Sequence, residues 1–409
     1  MAAACLAASA SAIDSNPAVS QYVRYFWGSD KGFPGGTVYA FAQTPDGYLW
    51  IGTDKGLIRF DGLAFQKFEP ASPFSFQIGP VRKLMTDAYG NLWVLLQSTK
   101  LLRYKGGQFE LIHGEAENGI TAIGQNTRGA VLLSSLAIGT LSYDGERFAT
   151  LLSPPAFADS PSLRAPGNPD ELSSRLSWSS GHEPHGLAAP DDAVISMAGT
   201  TDGRIWLGTH DKGLFYLTAG RVSAANGLTN SQINCLLPAE RADLWIGTST
   251  GVVRWNGAEL THDSVARSLF NADVLSMIRD RDSNIWVGTT RGLVRFDTHS
   301  ASAPSKDLPE SGAEVTALFE DREGNIWTGG QRGIERLRDN GFVNFSVPGL
   351  RPQSMGPVYV DPNGYTWFAP IDGGLRWLKA EKGGAVTAGE LTHDVVYSIS
   401  GRGKDLWLG

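Results

Sequence analysis

Cysteine is almost missing from the 409-residue chain: Cys5 and Cys235 are the whole complement. Two such thiols make neither a disulfide framework nor a zinc ligand set, and Cys235, inside the apolar stretch 233–237, reads as a small buried hydrophobe. Long apolar runs are missing too. Nothing approaches the roughly 18 to 20 residues of a membrane helix, so no span is expected. Positive charge is not in excess: 35 Lys and Arg against 42 Asp and Glu give a formal net charge of −7. With no basic stripe visible, a nucleic-acid partner is not expected. No segment sustains a 3.6-residue apolar period over the length a stable helix needs. The sequence lacks HExxH, G-x-S-x-G, a phosphate loop and a dinucleotide fingerprint. His182 and His185 fall in a loop-like stretch, and Asp-rich turns such as 280–284 lack the full calcium-loop pattern. No metal or cofactor is expected.

Glycine and tryptophan are abundant, at 49 and 12 residues. Glycine without a three-residue period means many tight turns, as many short strands require. Both excesses trace to one repeat. DGYLWIGTDKGLIRF at 46–60 recurs as DGRIWLGTHDKGLFYL at 202–217, ADLWIGTSTGVVRW at 242–255, DSNIWVGTTRGLVRF at 282–296 and EGNIWTGGQRGIERL at 323–337. A looser copy lies at 363–378, and KDLWLG at 404–409 begins another. From Trp206 the anchors Trp245, Trp286, Trp327, Trp367 and Trp407 follow at steps of 39, 41, 41, 40 and 40 residues. Trp93 and Leu132 anchor two worn copies after Trp50.

Each copy reads as four short strands. In the first, Val38 to Ala42, which has period-two alternation, Tyr48 to Thr53, Leu57 to Phe60 and Phe65 to Phe68 are strands separated by Asp-Gly and Lys-Gly turns. Four antiparallel strands at this period predict an all-β chain folded as a β-propeller. The tryptophans are expected to pack between neighbouring sheets. The glycine two residues on (Gly52, Gly208, Gly247, Gly288, Gly329) lets the next sheet approach.

A propeller must join its ends without leaving open edges. Residues 21–27 (QYVRYFW) resemble a fourth strand, so the N-terminal strand is expected to complete the last sheet of its own ring. The expected organisation is a seven-bladed ring over 21–340 and the start of a second over 341–409, cut mid-strand. One ring of eight or nine blades is the competing count. Residues 152–190, rich in Pro, Ser and Gly, form a long insertion. At the N-terminus, a short apolar run ends in Ala10-Ser11-Ala12, a small-x-small cleavage pattern, though no Lys or Arg precedes it. Residues 1–20 are read as an export signal, which places the mature chain in the periplasm.

The phrase at 46–60, with its lead-in GFPGGTVYAFAQTP, resembles the two-component regulator propeller repeat, and the resemblance extends over nearly the whole chain after residue 20. It implies an exported sensor region whose output is a histidine kinase or diguanylate cyclase, neither of which is in this chain. It further implies a small polar ligand, glycan-derived in gut bacteria. A homodimer or a signalling protein is the expected macromolecular partner. An interaction scaffold is one alternative. Another is a lyase resembling streptogramin lyase, for which His210 is the one histidine in a repeat turn that faces the mouth. The chain itself is not expected to be an enzyme.

Ligands favour the concave mouth where the turn between second and third strands and the incoming loop converge. That geometry selects Asp54, Lys55, His210, Asp211, Lys212, Arg291, Gln331 and Arg332 from the turns and Asn230 from an incoming loop. These positions vary between copies while the framework repeats, and both charge signs occur, which suits a polar ligand. Trp178, outside the repeat phase, is a stacking candidate if the insertion folds over the mouth.

Overall fold

The computed structural model describes residues 22–68, 78–113, 119–135, 139–152, 193–225, 227–228, 231–261, 272–297, 313–338, 356–371, 373–379, 382–387, 389–392, 394–402 and 405–409. The export-signal reading, the insertion beyond residue 152, Trp178 and Asn230 lie outside them. The chain divides into two compact units, Met1–Asn340 and Gly341–Gly409.

The fold is an all-β propeller of antiparallel sheets; the helical content among the described residues is three short 3₁₀ turns at Ser29–Lys31, Glu240–Ala242 and Gly389–Thr392. In the first unit, sheet I is built from Val38–Gln43, Leu49–Thr53, Gly56–Phe60 and Phe65–Phe68 in chain order, each strand antiparallel to the one before. Sheets II to V repeat this meander, with first strands Val81–Thr86, Ile120–Gln125, Val194–Gly199 and Ile233–Pro238. Sheet VI begins with Val274–Arg279 and has three described strands. Sheet VII takes three strands from Ala317–Glu320, Ile326–Gly330 and Gly333–Arg338, and its fourth is the N-terminal Val23–Trp27. Tyr25 faces Arg336 and Phe26 faces Glu335 in that pairing, and Arg24 clamps Glu335 through two hydrogen bonds of 2.7 and 2.8 Å. First strands touch in sequence, I to VII, and sheet VII returns to sheet I.

The repeat residues hold this arrangement in four ways. Trp50, Trp93, Trp206, Trp245, Trp286 and Trp327 are all buried. Removing one such ring from water is worth about 2–3 kcal/mol. A buried indole also needs an acceptor, and the residue six positions earlier supplies it: Thr44 for Trp50, Asp87 for Trp93, Thr200 for Trp206, Asp280 for Trp286 and Asp321 for Trp327, at 2.7 to 3.0 Å. In the aspartate copies the same carboxylate takes the amide and side chain of Asn91, Asn284 or Asn325, so turn and core are locked by one group. The glycines act as expected: a Cβ on Gly52 would lie 2.5 Å from Val81 Cγ1, and on Gly329 2.5 Å from Val38 Cγ1, the residue that opens the next sheet. Finally, Thr53, Thr209, Thr248 and Thr289 donate their hydroxyls to the glycine carbonyl across the hairpin, closing the turn between second and third strands.

The second unit contains Val358–Val360, Thr366–Phe368, Arg376–Lys379 and Lys382–Ala385 in one sheet, and Ile399–Arg402 paired with Asp405–Leu408 in another. Its buried core is Ala369, Leu375 and Val396.

Candidate functional site

The hairpin tips and the incoming segments share one end of each sheet, and backbone bonds tie them together. The amide of Asp54 donates to Thr37, Gln97 to Pro80, His210 to Ala193 and Thr290 to Asp273, at 2.8 to 3.2 Å. The tips are therefore held at the backbone, with most of their side chains exposed. Asp54 is partly committed, because its Oδ1 accepts the Thr37 amide at 2.9 Å. Lys55, Lys212 and Arg291 have their amides held by the hairpin threonine at 3.0 to 3.1 Å, and their side chains are exposed. His210 Nδ1 lies 2.9 Å from Asp211 Oδ1, a pair open to solvent. Gln331 and Arg332 are exposed on the tip of sheet VII. Arg332 also lines a cavity of about 470 Å³ with Arg24, Phe26, Glu314, Val315 and Glu335.

Of the expected residues, His210 and Asp211 are thus brought together, Asp54 is bound to its own incoming segment, and Arg332 reaches a cavity. Asp54, Arg291 and Gln331 stand on separate sheets, with no hydrogen bond joining them to one another. Among the described residues no three His, Cys, Asp or Glu side chains are grouped as a metal would require.

Beneath the tips lies a feature that the turn-based reading missed. Each first strand from sheet I to sheet VI carries a register shift after its opening residue, with Tyr39, Arg82, Thr121, Ile195, Asn234 and Leu275 as the extra residue. A bulge re-aims the side chains at the strand that borders the centre of the ring. The next residues are Ala40, Lys83, Ala122, Ser196, Cys235 and Ser276, with Ala317 in sheet VII. Asn234 donates to Asp273 Oδ1 at 2.8 Å, and burial holds the Asp273 carboxyl above the usual carboxylate range. Burial pushes the Cys235 thiol up to about 12, so it stays protonated, and pulls the Lys83 ammonium below its ordinary value. Aligning the seven first strands by their repeat phase would have exposed this column, in which Arg82 and Lys83 are the only charged residues.

Three segments, 32–55, 268–291 and 309–332, match the family model of the two component regulator propeller. Each runs through an incoming segment and two strands to a hairpin tip, ending at Lys55, Arg291 or Arg332. No curated protein matches the chain. Among solved structures, it is similar to the extracellular domain of a protein described as a hybrid two component system, BT3049 of B. thetaiotaomicron. The identity is 18% and the TM-score 0.64, over 95% of this chain and 52% of that one. The extracellular domain of BT4673 of B. thetaiotaomicron, described as a one component system, is similar at 18% identity and TM-score 0.57, over 95% and 51%. Virginiamycin B lyase from Staphylococcus aureus is similar at 12% identity and TM-score 0.51, over 78% and 99%. The chain spans about half the length of the two B. thetaiotaomicron structures, and at these identities the likeness is one of fold. Phased tryptophans and four-stranded meanders thus recur through the chain, and three of its segments carry the two component regulator propeller repeat.

Proposed function

We propose that the chain is an extracytoplasmic sensor module of a two-component-type signalling protein, binding a polar, glycan-derived ligand at the propeller mouth. One observation carries the reading: the matched repeats each end on a stiff hairpin tip bearing an exposed charged side chain, Lys55, Arg291 or Arg332. A repeated rigid scaffold that varies at its tips is what a ligand-reading surface needs. The extracellular location printed for the two B. thetaiotaomicron neighbours supports export, as does the Ala10-Ser11-Ala12 pattern. The partner in this reading is a second copy of the chain or a signalling protein. Thermal-shift screening against neutral and acidic oligosaccharides tests the reading. A ligand should raise the melting temperature without being turned over, and Arg291→Ala with Arg332→Ala should weaken it at least tenfold. Unchanged affinity in both variants and in a deletion of 155–188 would move the site elsewhere.

A further inference from the structure

We propose that Arg82 and Lys83 hold an anion, the carboxylate or sulfate group of a small acidic ligand, in the central channel just inside the mouth. The inference requires an acidic group to enter the channel and stands whether or not the chain signals.

The argument begins with position. Arg82 is the bulged residue of the sheet II first strand, and Lys83 follows it opposite Leu95. Both sit at the end of the strand that the hairpin tips share, since Gln97 of the sheet II tip bonds to Pro80 two residues before Arg82. Lys83 is the one long side chain in its column; the other six members are Ala, Ser or Cys. That leaves room for its chain to extend inward. The mutual influence of Lys83 and Cys235 on each other's ionisation agrees with an inward-reaching side chain.

The second point is charge. Neither Arg82 nor Lys83 makes a hydrogen bond or ion pair to a described residue, whereas most other arginines of the unit are paired or stacked. Cys235 is a neutral thiol, so it offers no compensation. Both cations are half-buried, and the Arg82 guanidinium opposes the charge of Lys83. Two adjacent half-buried cations with no partner among the described residues repel each other, and a bound oxyanion removes that cost. Guanidinium and ammonium together offer several donors to the oxygens of a carboxylate or sulfate.

The test is the melting temperature of the full chain in sodium sulfate or sodium glucuronate against sodium chloride at equal ionic strength, with glucose as the uncharged control. The expected result is a saturable rise of roughly 2–4 °C at millimolar concentration with at least one of the two oxyanions. Glucose should give none. The rise should vanish in Arg82→Gln with Lys83→Met and persist in Lys105→Met, which alters an exposed strand-end lysine. Arg82→Lys, which keeps the charge and the packing, should retain it and covers the case in which the double variant fails to fold. Whichever oxyanion binds identifies the group the channel takes. A rise that is unsaturable, absent with both oxyanions, equal with glucose, or unchanged in the double variant would overturn the proposal.

Discussion

Asp280 shows how much a single repeat residue carries. It is buried, and its two oxygens accept the Trp286 indole at 2.7 Å, the Asn284 side chain at 3.0 Å and two backbone amides. Asp280→Ala leaves those donors buried without acceptors, at a cost of about 2–4 kcal/mol in chemical denaturation of the whole chain. The same change at exposed Asp61, whose oxygen caps a local turn, should shift the denaturation midpoint far less. Gly329→Ala places a methyl against Val38 where sheet VII meets sheet I, and overpacking there should cost about 1–3 kcal/mol. Lys83 gives a pH signature of its own. Its folded pKa lies below the ordinary 10.5, so between the two values the native state binds fewer protons and stability rises with pH. At neutral pH the half-buried ammonium carries that cost. Lys83→Met should therefore melt higher than the native sequence near pH 7, by on the order of 2 °C in chloride buffer, and the gap should close as pH approaches 10.5.

Strands and turns were largely legible before any coordinates. Val38 to Ala42, Tyr48 to Thr53, Leu57 to Phe60 and Phe65 to Phe68 fall within a residue or so of the strands observed. The glycines that admit the next sheet sit where the repeat placed them. The acceptors six residues before Trp50, Trp93, Trp206, Trp286 and Trp327 are not legible in the sequence, because Thr and Asp both fill that role and both pass for ordinary turn residues. The bulge was invisible for a different reason: an extra residue at a strand's start does not disturb the period-two pattern after it. Hence the tips were named as site candidates while Arg82 and Lys83 were overlooked. The N-terminal strand offers a test at this scale. Removing residues 22–27 strips sheet VII of its outer strand, breaks the Arg24–Glu335 clamp and unstacks Trp27 from Trp327, whose rings lie 5.6 Å apart. An open edge results. The truncated chain should lose several degrees of melting temperature and self-associate in size-exclusion chromatography.

Across the whole molecule, stability should be uneven. The first unit buries six anchor tryptophans in a series of intersheet clusters, whereas the second exposes Val358, Val360, Ile371, Tyr397 and Trp407 around a small described core of Ala369, Leu375 and Val396. Amides within 356–409 should exchange markedly faster than those of the first strands of sheets I to VII. Equal protection in both units would contradict this. The central claim, that ligand is read at the mouth, is tested most directly by hydrogen exchange with the tightest binder from the glycan screen. The account predicts added protection at the hairpin tips 53–56, 209–213, 289–292 and 330–333 and at the bulged residues beneath them, with the outer strands unchanged. Protection confined to outer strands or to residues beyond 340 would contradict it.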